Sequence, residues 1–332
     1  ALSHRLKIMA NMNIADTRSI QDGRFSQNIG SGSVDFRVAI MPSVWGETIS
    51  VRLLDHRRSL IPLERLGYSP KTEKQLETIT KKPQGITLLT GPTGSGKTTT
   101  LYSMLRKLSS MDVHIATLEE PVEFQLDLIR QTAIQETQGL DFASGVRGLL
   151  RMDPDIILIG EVRDAETAQM ALRAAMTGHQ VYTTLHCNDA LGAIPRLIDL
   201  GLNPRVLAGN ISGIIAQRLV RKLCTHCRYT YEANAEEHKM LGYNENAPLK
   251  LADANGCPHC EGTGRMGRTV IAEVVTPSPE MEELIAQNAM PLALREQAMA
   301  DGLSPLKEDG ILKVTSHEVA LSDMLRTIDM TR

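Results

Sequence analysis

Apolar and polar residues alternate strictly in two segments near the start of the chain, residues 34–40 and 48–53. A period of two predicts strands that each bury one face. The predicted buried side chains are Val34, Phe36, Val38, Ile40, Ile49, Val51 and Leu53. Residues 2–14 have the amphipathic spacing of a helix, and residues 21–23 have the composition of a turn. Residues 1–54 are therefore predicted to form a small N-terminal α+β domain.

The segment between the two predicted strands has the length and composition of a hairpin loop. If Pro42 faces Glu47 across it, then Arg37 faces Arg52. Like charges directly opposite each other are unfavourable unless an anion lies between them. The pattern alone leaves open two solvated arginines in a slightly different register.

Farther along the chain, short apolar runs alternate with helical segments. The runs are residues 86–90, 113–118, 156–159 and 181–185, and the helical segments include 97–108 and 165–177. Strands that alternate with helices predict an α/β fold with a mostly parallel sheet covered on both faces. Ser69 and Pro70 predict the start of a further helix, as its N-cap and its first residue.

These patterns divide the chain into domains. The polar residues 55–62 are predicted to be a linker, and residues 63–332 the larger domain. Within the larger domain, the cysteine-bearing residues 223–264 are predicted to be a subdomain, and residues 265–332 a C-terminal helical region.

The larger domain contains a complete phosphate-binding sequence of the form G-x-x-x-x-G-K-[ST] between a predicted strand and a predicted helix. Its residues are Gly91, Pro92, Thr93, Gly94, Ser95, Gly96, Lys97 and Thr98. Backbone N–H groups at such a loop surround the phosphates of a nucleotide, at a helix N-terminus that favours anions. We expect Lys97 to reach the β- and γ-phosphates, Thr98 to bind Mg²⁺, and Thr99 to lie at the nucleotide. The alternative is a glycine-rich turn without a ligand, which the strand–loop–helix context disfavours.

Acidic residues follow two predicted strands, at the ends where functional residues of such sheets gather. Glu119, Glu120 and Glu123 follow residues 113–118, and Glu161 follows the apolar run 156–159. One carboxylate of the first group is predicted to orient and deprotonate the attacking water, and Glu119 and Glu120 are predicted to lie at the bound nucleotide. Glu161 is predicted to lie on the Mg²⁺ side. A solvated acidic loop is the alternative for the first group.

Two histidines flank the predicted strand 181–185. His186 ends it and His179 lies just before it. A histidine near a γ-phosphate can sense it and couple its loss to movement. Each of the two can also be a hydrogen-bonded structural histidine.

Four cysteines, Cys224, Cys227, Cys257 and Cys260, form two C-x-x-C pairs. Four thiolates suit a tetrahedral, structural Zn²⁺. The alternative is a set of metal-free or redox-active cysteines. His226 and His259 lie inside the pairs and are predicted not to be ligands, and Cys187 is predicted to be an ordinary small residue.

Composition and charge exclude some classes of partner. The formal net charge is −3 and aromatic residues make up 3% of the chain, which argues against nucleic-acid binding. The first 62 residues are nevertheless basic, with a formal charge of +3, so an anion is predicted to face them. The sequence has no apolar run of about 20 residues and no visible signal peptide, and it predicts a soluble, cytoplasmic chain. Because it opens at Ala1 without a methionine, it is expected to be a fragment of a longer protein.

Taken together, these motifs resemble the secretion ATPases of type II secretion and type IV pilus assembly, the GspE/PilB family. The resemblance covers nearly the whole chain. Its carriers are Gly91–Thr98, the acidic box 119–123, residues 150–155 running into 160–164, residues 177–179 and 184–186, Ala216-Gln217-Arg218-Leu219, Gln21-Asp22-Gly23-Arg24 and the four cysteines. Retraction motors of the same superfamily resemble this core but lack the four-cysteine insert, so the cysteines favour assembly or secretion.

The resemblance implies a hexameric ring of RecA-like P-loop NTPase domains, each joined to a smaller PAS-like domain, with ATP between the two. It implies that Arg24, Arg37 and Arg52 face phosphate. By the same match Glu123 is the catalytic glutamate, Glu161 the Walker B acid and Arg218 a nucleotide-site residue. His179 and His186 match the His box, so both are expected to be catalytic. Glu120 replaces the family's usual Asp, and the roles of Arg147, Arg151 and Arg163 stay open between active site and subunit contact.

The function expected from the resemblance is a Mg²⁺-dependent, homohexameric ATPase motor at the cytoplasmic face of the bacterial inner membrane. Its expected partner is an inner-membrane platform protein, which provides its peripheral membrane association, and no nucleic acid is expected. The rival interpretations are a nucleic-acid translocase on the same core and a nucleotide-binding switch without force production. The motifs do not distinguish among type IV pilus, type II secretion, competence and conjugative pilus systems.

Overall fold

The computed structural model describes residues 2–29, 32–55, 61–135, 137, 139–244 and 247–330. The chain divides between Ile61 and Pro62 into two units, except that residues 123–125 group with the first unit. Of the predicted linker 55–62, residues 56–60 lie outside the described residues, and Asp55 ends a strand.

The first unit consists of a helix and a three-stranded antiparallel sheet in the order β1-β2-β3. The elements are α1 (Leu2–Met9), β1 (Gln21–Ile29), β2 (Gly32–Ser43) and β3 (Gly46–Asp55). The predicted turn at residues 21–23 is wrong, because these residues begin β1. Gly23 allows a close approach: a Cβ there would lie 2.3 Å from the carbonyl oxygen of Ala10, just past α1. The glycine that suggested a turn instead lets the chain after α1 pass over the strand.

The predicted hairpin register is confirmed. Pro42 pairs with Glu47 and Arg37 with Arg52, and on its other side Arg37 pairs with Arg24 of β1. The three arginines therefore form one row across three strands, at the spacing of directly opposed cross-strand neighbours.

Burial in the first unit agrees with only part of the expectation. Val34, Val38 and Ile40 are buried, but Val51 is 39% and Leu53 61% exposed. β3 is one of the two edge strands, and the small core centres on Val38, Ile40 and Ala10 after α1. The far half of β3 is therefore left uncovered, although its alternation is that of a buried strand.

The strands of the second unit are β4 (Gly85–Thr90), β5 (Ile115–Glu119), β6 (Ile129–Ala133), β7 (Ile156–Ile159), β8 (Gln180–Leu185), β9 (Ile211–Leu223), β10 (Arg228–Glu232), β11 (Lys250–Ala254) and β12 (Arg265–Val275). Seven of them form one sheet in the order β12-β9-β4-β8-β7-β5-β6. All neighbours are parallel except β12, which is antiparallel to β9. Every residue of β4, β5 and β7 is buried, so both faces are covered, which confirms the mostly parallel α/β sheet.

The helices of the second unit are α2 (Pro70–Thr80), α3 (Lys97–Leu108), α4 (Phe142–Leu149), α5 (Ala165–Met176), α6 (Ala193–Asp199), α7 (Pro204–Leu207), α8 (Ala235–Leu241), α9 (Pro279–Ala286), α10 (Pro291–Ala300), α11 (Leu306–Thr315) and α12 (Leu321–Leu325). The side chain of Ser69 accepts a hydrogen bond from the N–H of Thr72 and caps α2, as predicted. Asp164 caps α5 in the same way through the N–H of Thr167. α4 and α5 pack on each other and against β4, β5, β7 and β8.

The interval between β9 and β12 carries the cysteines. Within it, β10 and β11 form a separate two-stranded antiparallel sheet, with α8 between them. Residues 265–275 are strand β12, so the predicted C-terminal helical region begins later, at α9. β9 and β12 had no clear signal in the sequence, because charged residues follow the apolar start of β9 and precede the apolar end of β12.

Among the described residues, every helix is too short or too polar to cross a membrane.

The two glycines of α4 provide a matched test of packing in the second unit. A Cβ on Gly145 would lie 2.8 Å from both methyl carbons of the buried Leu118, whereas a Cβ on Gly148 would have open space. We expect Gly148→Ala to stabilise the protein by about 0.5–1 kcal/mol, because alanine favours the helix. Gly145→Ala should destabilise it by about 1–3 kcal/mol through overpacking. Thermal unfolding measures both, and equal melting temperatures for the two variants would contradict this account of the core.

Candidate nucleotide site and metal centre

The register of the parallel sheet brings several predicted site residues to one edge. Thr90 at the end of β4 pairs with Leu185 at the end of β8 and with Ala216 in β9. Ile159 at the end of β7 pairs with Leu118 and Thr183. The residues that follow these strands therefore gather at the carboxyl edge, where ligands bind in open α/β sheets.

The phosphate loop connects β4 to α3, and its backbone needs glycine. Gly91, Gly94 and Gly96 have φ angles of +143°, +81° and +89°. At Gly91 a Cβ would also lie 2.6 Å from the carbonyl oxygen of Gln217 and 2.7 Å from Ser95 Oγ. Other residues at these positions would strain or displace the loop.

The side chains of the loop are arranged as an anion site requires. Lys97 Nζ donates to the carbonyl oxygens of Gly91 and Pro92 at 2.8 and 3.2 Å, so the ammonium is folded back over the loop. Burial lowers the pKa of Lys97, and the charge of Glu161 opposes that shift. Ser95 Oγ is buried and has no hydrogen-bond partner among the described residues. A cationic, partly desolvated lysine and an unsatisfied hydroxyl fit a bound phosphate group.

Thr98 and Thr99 begin the first turn of α3, directly after Lys97. Thr98 is exposed and Thr99 half-buried. The exposed Thr98 hydroxyl is available as an oxygen ligand for Mg²⁺.

Strand β9 supplies two residues beside the loop. Arg218, predicted as a nucleotide-site residue, donates to the carbonyl oxygens of Gln217 at 3.0 Å and Asn188 at 2.6 Å. Burial lowers the pKa of Arg218, and the charges of Glu273 and Asp189 oppose this. The preceding Gln217 was not predicted to have a role, yet its Nε2 donates to the carbonyl oxygen of Ser95 at 2.8 Å. A fully buried amide next to a phosphate loop is recognisable only once β9 is known to lie beside β4.

Two carboxylates share one arginine at this edge. Arg163 contacts Glu161 and, at 2.9 Å, Glu120. His186 Nε2 lies 3.6 Å from Glu161 Oε2. Glu120, Glu161 and His186 are therefore brought together, and Arg163 is the one of the three unassigned arginines that joins them.

The side chain of Glu119 does not face the predicted nucleotide site. It is 4% exposed, and its carboxylate accepts hydrogen bonds from Tyr102, from Thr117 Oγ1 at 2.6 Å and from Gln131 Nε2 at 3.1 Å. These donors hold the carboxylate inside the second unit at the end of β5. We therefore interpret Glu119 as an anchor of the acidic box instead of a nucleotide ligand.

The two histidines are not brought together. β8 has six residues, and His179 precedes it whereas His186 follows it. At about 3.3 Å per strand residue, they lie roughly 20 Å apart, one at each end of β8. His186 lies at the carboxyl ends of the parallel strands and His179 at their amino ends. The Nδ1 of His179 lies 2.9 Å from the carbonyl oxygen of Ala174 and 3.2 Å from Thr177 Oγ1. The structure thus places His179 away from the phosphate loop of its own chain.

Glu123 groups with the first unit and is paired there with Arg37. Arg37 Nη2 lies 2.8 Å from Glu123 Oε2, and Nη1 donates to Oε1 at 3.3 Å. This two-point contact is the strong form of an arginine–carboxylate pair. The two arginines beside Arg37 in the row, Arg24 and Arg52, are exposed.

The other two unassigned arginines are not part of the acidic group. Arg147 pairs with Glu166 at 2.6 Å on the exposed surfaces of α4 and α5, and Arg151 is exposed just after α4.

The four cysteines form a compact cluster, with all sulfurs within 4.8 Å of one another. Three of the sulfur–sulfur distances, 224–257, 227–260 and 257–260, are 3.9, 3.8 and 3.7 Å. A tetrahedron with Zn–S bonds of about 2.3 Å has edges of about 3.8 Å, so the cluster has the size that Zn²⁺ requires.

One sulfur of the cluster is set up to be a thiolate. Burial raises the pKa of Cys260, but the N–H groups of Cys257 and Gly264, each 3.2 Å from its sulfur, together with the thiols of Cys257 and Cys227 lower that pKa to about 6. The pKa of Cys227 is raised, by burial and by hydrogen bonds with the other thiols. Thiolates are the form that binds metal. His226 and His259 stack on each other with ring centroids 4.0 Å apart, outside the four sulfurs.

Comparisons with known proteins agree with this geometry. The model of the family described as "Type II/IV secretion system protein" matches residues 1–326. The type II secretion system ATPase E of Vibrio cholerae is 42% identical over 98% of this chain and 64% of its own length. The type IV pilus assembly ATPase PilB of Pseudomonas aeruginosa is 40% identical over 98% of this chain and 58% of its own length.

A solved structure supports the same fold. The pilus retraction motor PilT with bound ADP is 27% identical, with a TM-score of 0.67 over 98% of this chain and 80% of that chain. The second unit is thus a RecA-like core with a four-cysteine subdomain. The chain spans less than two thirds of the length of the Vibrio relative.

The cysteine cluster predicts the metal content of the purified chain. We expect about one zinc per chain by inductively coupled plasma mass spectrometry, and loss of zinc with a lower melting temperature in Cys260→Ser. Cys187→Ser is the control, because Cys187 lies outside the cluster and its variant should keep the metal. Equal zinc contents in both variants would show that the cluster is not the metal site.

Proposed function

Because this chain belongs to the type II/IV secretion system protein family, we propose that it hydrolyses ATP to drive protein secretion or pilus assembly. The observation that carries the proposal is the carboxyl edge of the sheet, where the phosphate loop, Glu161 and His186 come together. The fold similarity to an ADP-bound motor supports a nucleotide at this edge.

Binding of ATP is assigned to the loop and its neighbours. The backbone N–H groups of residues 91–98 and the Lys97 ammonium hold the phosphates, and Arg218 adds a second cation beside Gly91. Thr98 and Glu161 offer the oxygen ligands that Mg²⁺ prefers. When bound, Mg²⁺ neutralises charge on the β- and γ-phosphates.

Hydrolysis is assigned to Glu123 as the general base. It takes a proton from water as the water oxygen bonds to the γ-phosphorus, and the bond from that phosphorus to the bridging oxygen breaks, leaving ADP. The support is the resemblance of the acidic box to that of the family, in which Glu123 matches the position of the catalytic glutamate. His186 is proposed to sense the γ-phosphate, since it lies 3.6 Å from Glu161. His179 is not included, because it lies at the other edge of the sheet.

The arginine row of the first unit is proposed to meet the phosphates of ATP. Three like charges in a row gain stability when an anion faces them. Arg24, Arg37 and Arg52 would stabilise negative charge in the transition state, and the loss of phosphate would remove that stabilisation. Movement of the first unit would then follow from nucleotide turnover.

The wider setting is proposed from the family. It comprises a homohexamer, an inner-membrane platform protein as partner, and a location at the cytoplasmic face of the inner membrane. No nucleic acid is included, because the chain is acidic overall and poor in aromatic residues. Identities of 42% to a type II secretion ATPase and 40% to PilB support secretion and pilus assembly about equally.

Lys97→Ala tests the phosphate site. We expect kcat for ATP hydrolysis to fall about 10²-fold or more, because the cation nearest the transferred phosphoryl group is lost. Lys107→Ala, in the last turn of the same helix, is the control. Among the residues that the structure describes, Lys107 pairs with Glu64 and Glu77 on the surface, and its loss should leave kcat unchanged. Equal rates for the two variants would reject the assignment of the site.

Arg37→Ala tests the arginine row. We expect kcat to fall much more than the affinity for ATP, because the arginine acts on charge that develops in the transition state. The matched control is Arg5→Ala on the exposed side of α1 in the same unit. Steady-state kinetics and nucleotide titration separate the two effects. An unchanged kcat in Arg37→Ala would remove the row from the mechanism.

A further inference from the structure

A buried hydrogen-bond network connects the phosphate loop to the start of the second unit. Its centre is the amide of Gln217, which is fully buried. Nε2 donates to the carbonyl oxygen of Ser95 at 2.8 Å, and Oε1 accepts from Tyr68 Oη at 2.7 Å and from Thr100 Oγ1 at 3.1 Å. A carbonyl oxygen can only accept, so the orientation of the amide is fixed by its partners. The link from Ser95 to Tyr68 therefore has defined donors and acceptors at each step.

Tyr68 is itself held firmly. It is buried, and its hydroxyl also lies 2.8 Å from Thr100 Oγ1 in α3, the helix that follows the phosphate loop. The preceding Gly67 has φ of +89°, and a Cβ there would lie 2.2 Å from Thr269 Oγ1 of β12. The carbonyl oxygen of Gly67 accepts from Lys313 Nζ of α11 at 2.5 Å. The ring thus projects from a backbone position that two other elements fix.

Tyr68 lies close to the point where the chain enters the second unit. The second unit begins at Pro62, and a short 3₁₀ helix, Leu63–Arg65, leads to Tyr68 and to the N-cap of α2. Residues 63–68 are thus the first part of this unit after the chain leaves the first one. Nothing in the ATP chemistry described above uses Tyr68 or Gln217.

We propose that Tyr68 is a positioning residue for the phosphate loop, acting through Gln217, and that this pair couples nucleotide binding at the loop to residues 63–68. The inference rests on the proposed function, because it needs a nucleotide at the loop. Phosphate groups order the loop by accepting its backbone N–H groups, which include those adjoining the Ser95 carbonyl. Gln217 is fully buried and both ends of its amide are bonded, so a shift of the Ser95 carbonyl is passed on to the amide and from it to the Tyr68 hydroxyl. Ordering of Ser95 therefore orders Gln217 and Tyr68 in turn.

Hydrogen exchange of the amides with and without ATP tests the coupling in the whole chain. In the wild type, ATP should slow exchange both in residues 91–99 and in residues 63–68. In Tyr68→Phe, which keeps the buried ring, protection of residues 91–99 should remain and the added protection of residues 63–68 should fall several-fold. The kcat should fall with little change in the affinity for ATP, because the loop is bound but less well ordered.

Tyr182→Phe is the matched control. Tyr182 is another buried tyrosine of the same unit, and its hydroxyl donates to Gln180 Oε1 at 3.2 Å. A general cost of losing a buried hydroxyl would affect both variants, whereas the proposed coupling is lost only in Tyr68→Phe. If Tyr68→Phe fails to fold, Gln217→Met removes the same link from its other end and should uncouple the two segments in the same way.

The outcomes are distinguishable. If ATP protects residues 91–99 but leaves residues 63–68 unchanged in the wild type, the coupling is wrong and the proposed function stands. Full retention of both protections and of kcat in Tyr68→Phe would also overturn the coupling. If ATP protects neither segment of the wild type, the proposed function fails and the coupling fails with it.

Discussion

The pairing of β4 with β8 and β9 is the interaction on which the site depends. It aligns Thr90 with Leu185 and Ala216, so the phosphate loop and His186 leave the sheet beside Arg218 of β9. A shift of one residue in either pair would turn every side chain of a strand to the opposite face. Because all six residues of β4 are buried, such a shift would place Leu and Thr side chains against the wrong helices. Packing in the core therefore fixes the positions of the site residues relative to one another.

Arginine and carboxylate side chains are grouped in each of the two units. Arg163 lies between Glu120 and Glu161, which lets two carboxylates stand near each other and near the place proposed for phosphate. In the first unit Arg37 is paired with Glu123, and the neighbouring arginines of its row are exposed. In both places the guanidinium offsets the charge of the carboxylates beside it. The carboxylates hold the arginines in place. Because water still reaches the arginines, a phosphate group can replace a carboxylate as their partner.

Local patterns predicted much of this fold. The phosphate loop, the ends of α3 and the capping by Ser69 follow from contiguous residues, and the facing of Arg37 and Arg52 follows from the length of one loop. The sequence could not show which residues lie next to each other in the folded chain. His179 and His186 are close in sequence, but the strand between them separates them, and Glu119 differs from Glu120 only in the face to which it points. Gln217 gained a role only from the strand beside it, and Gly23 suggested a turn where it permits close packing.

The ends of the cysteine-bearing insertion lie side by side. The N–H of Cys224, directly after β9, donates to the carbonyl oxygen of Gly264, directly before β12, at 2.9 Å. Antiparallel pairing of β9 with β12 holds those ends together independently of what lies between them. The free-energy cost of closing a loop grows by only about 0.6 kcal/mol for each doubling of its length. A change in the length of this insertion consequently adds little loop-closure cost to the register that carries Gln217 and Arg218.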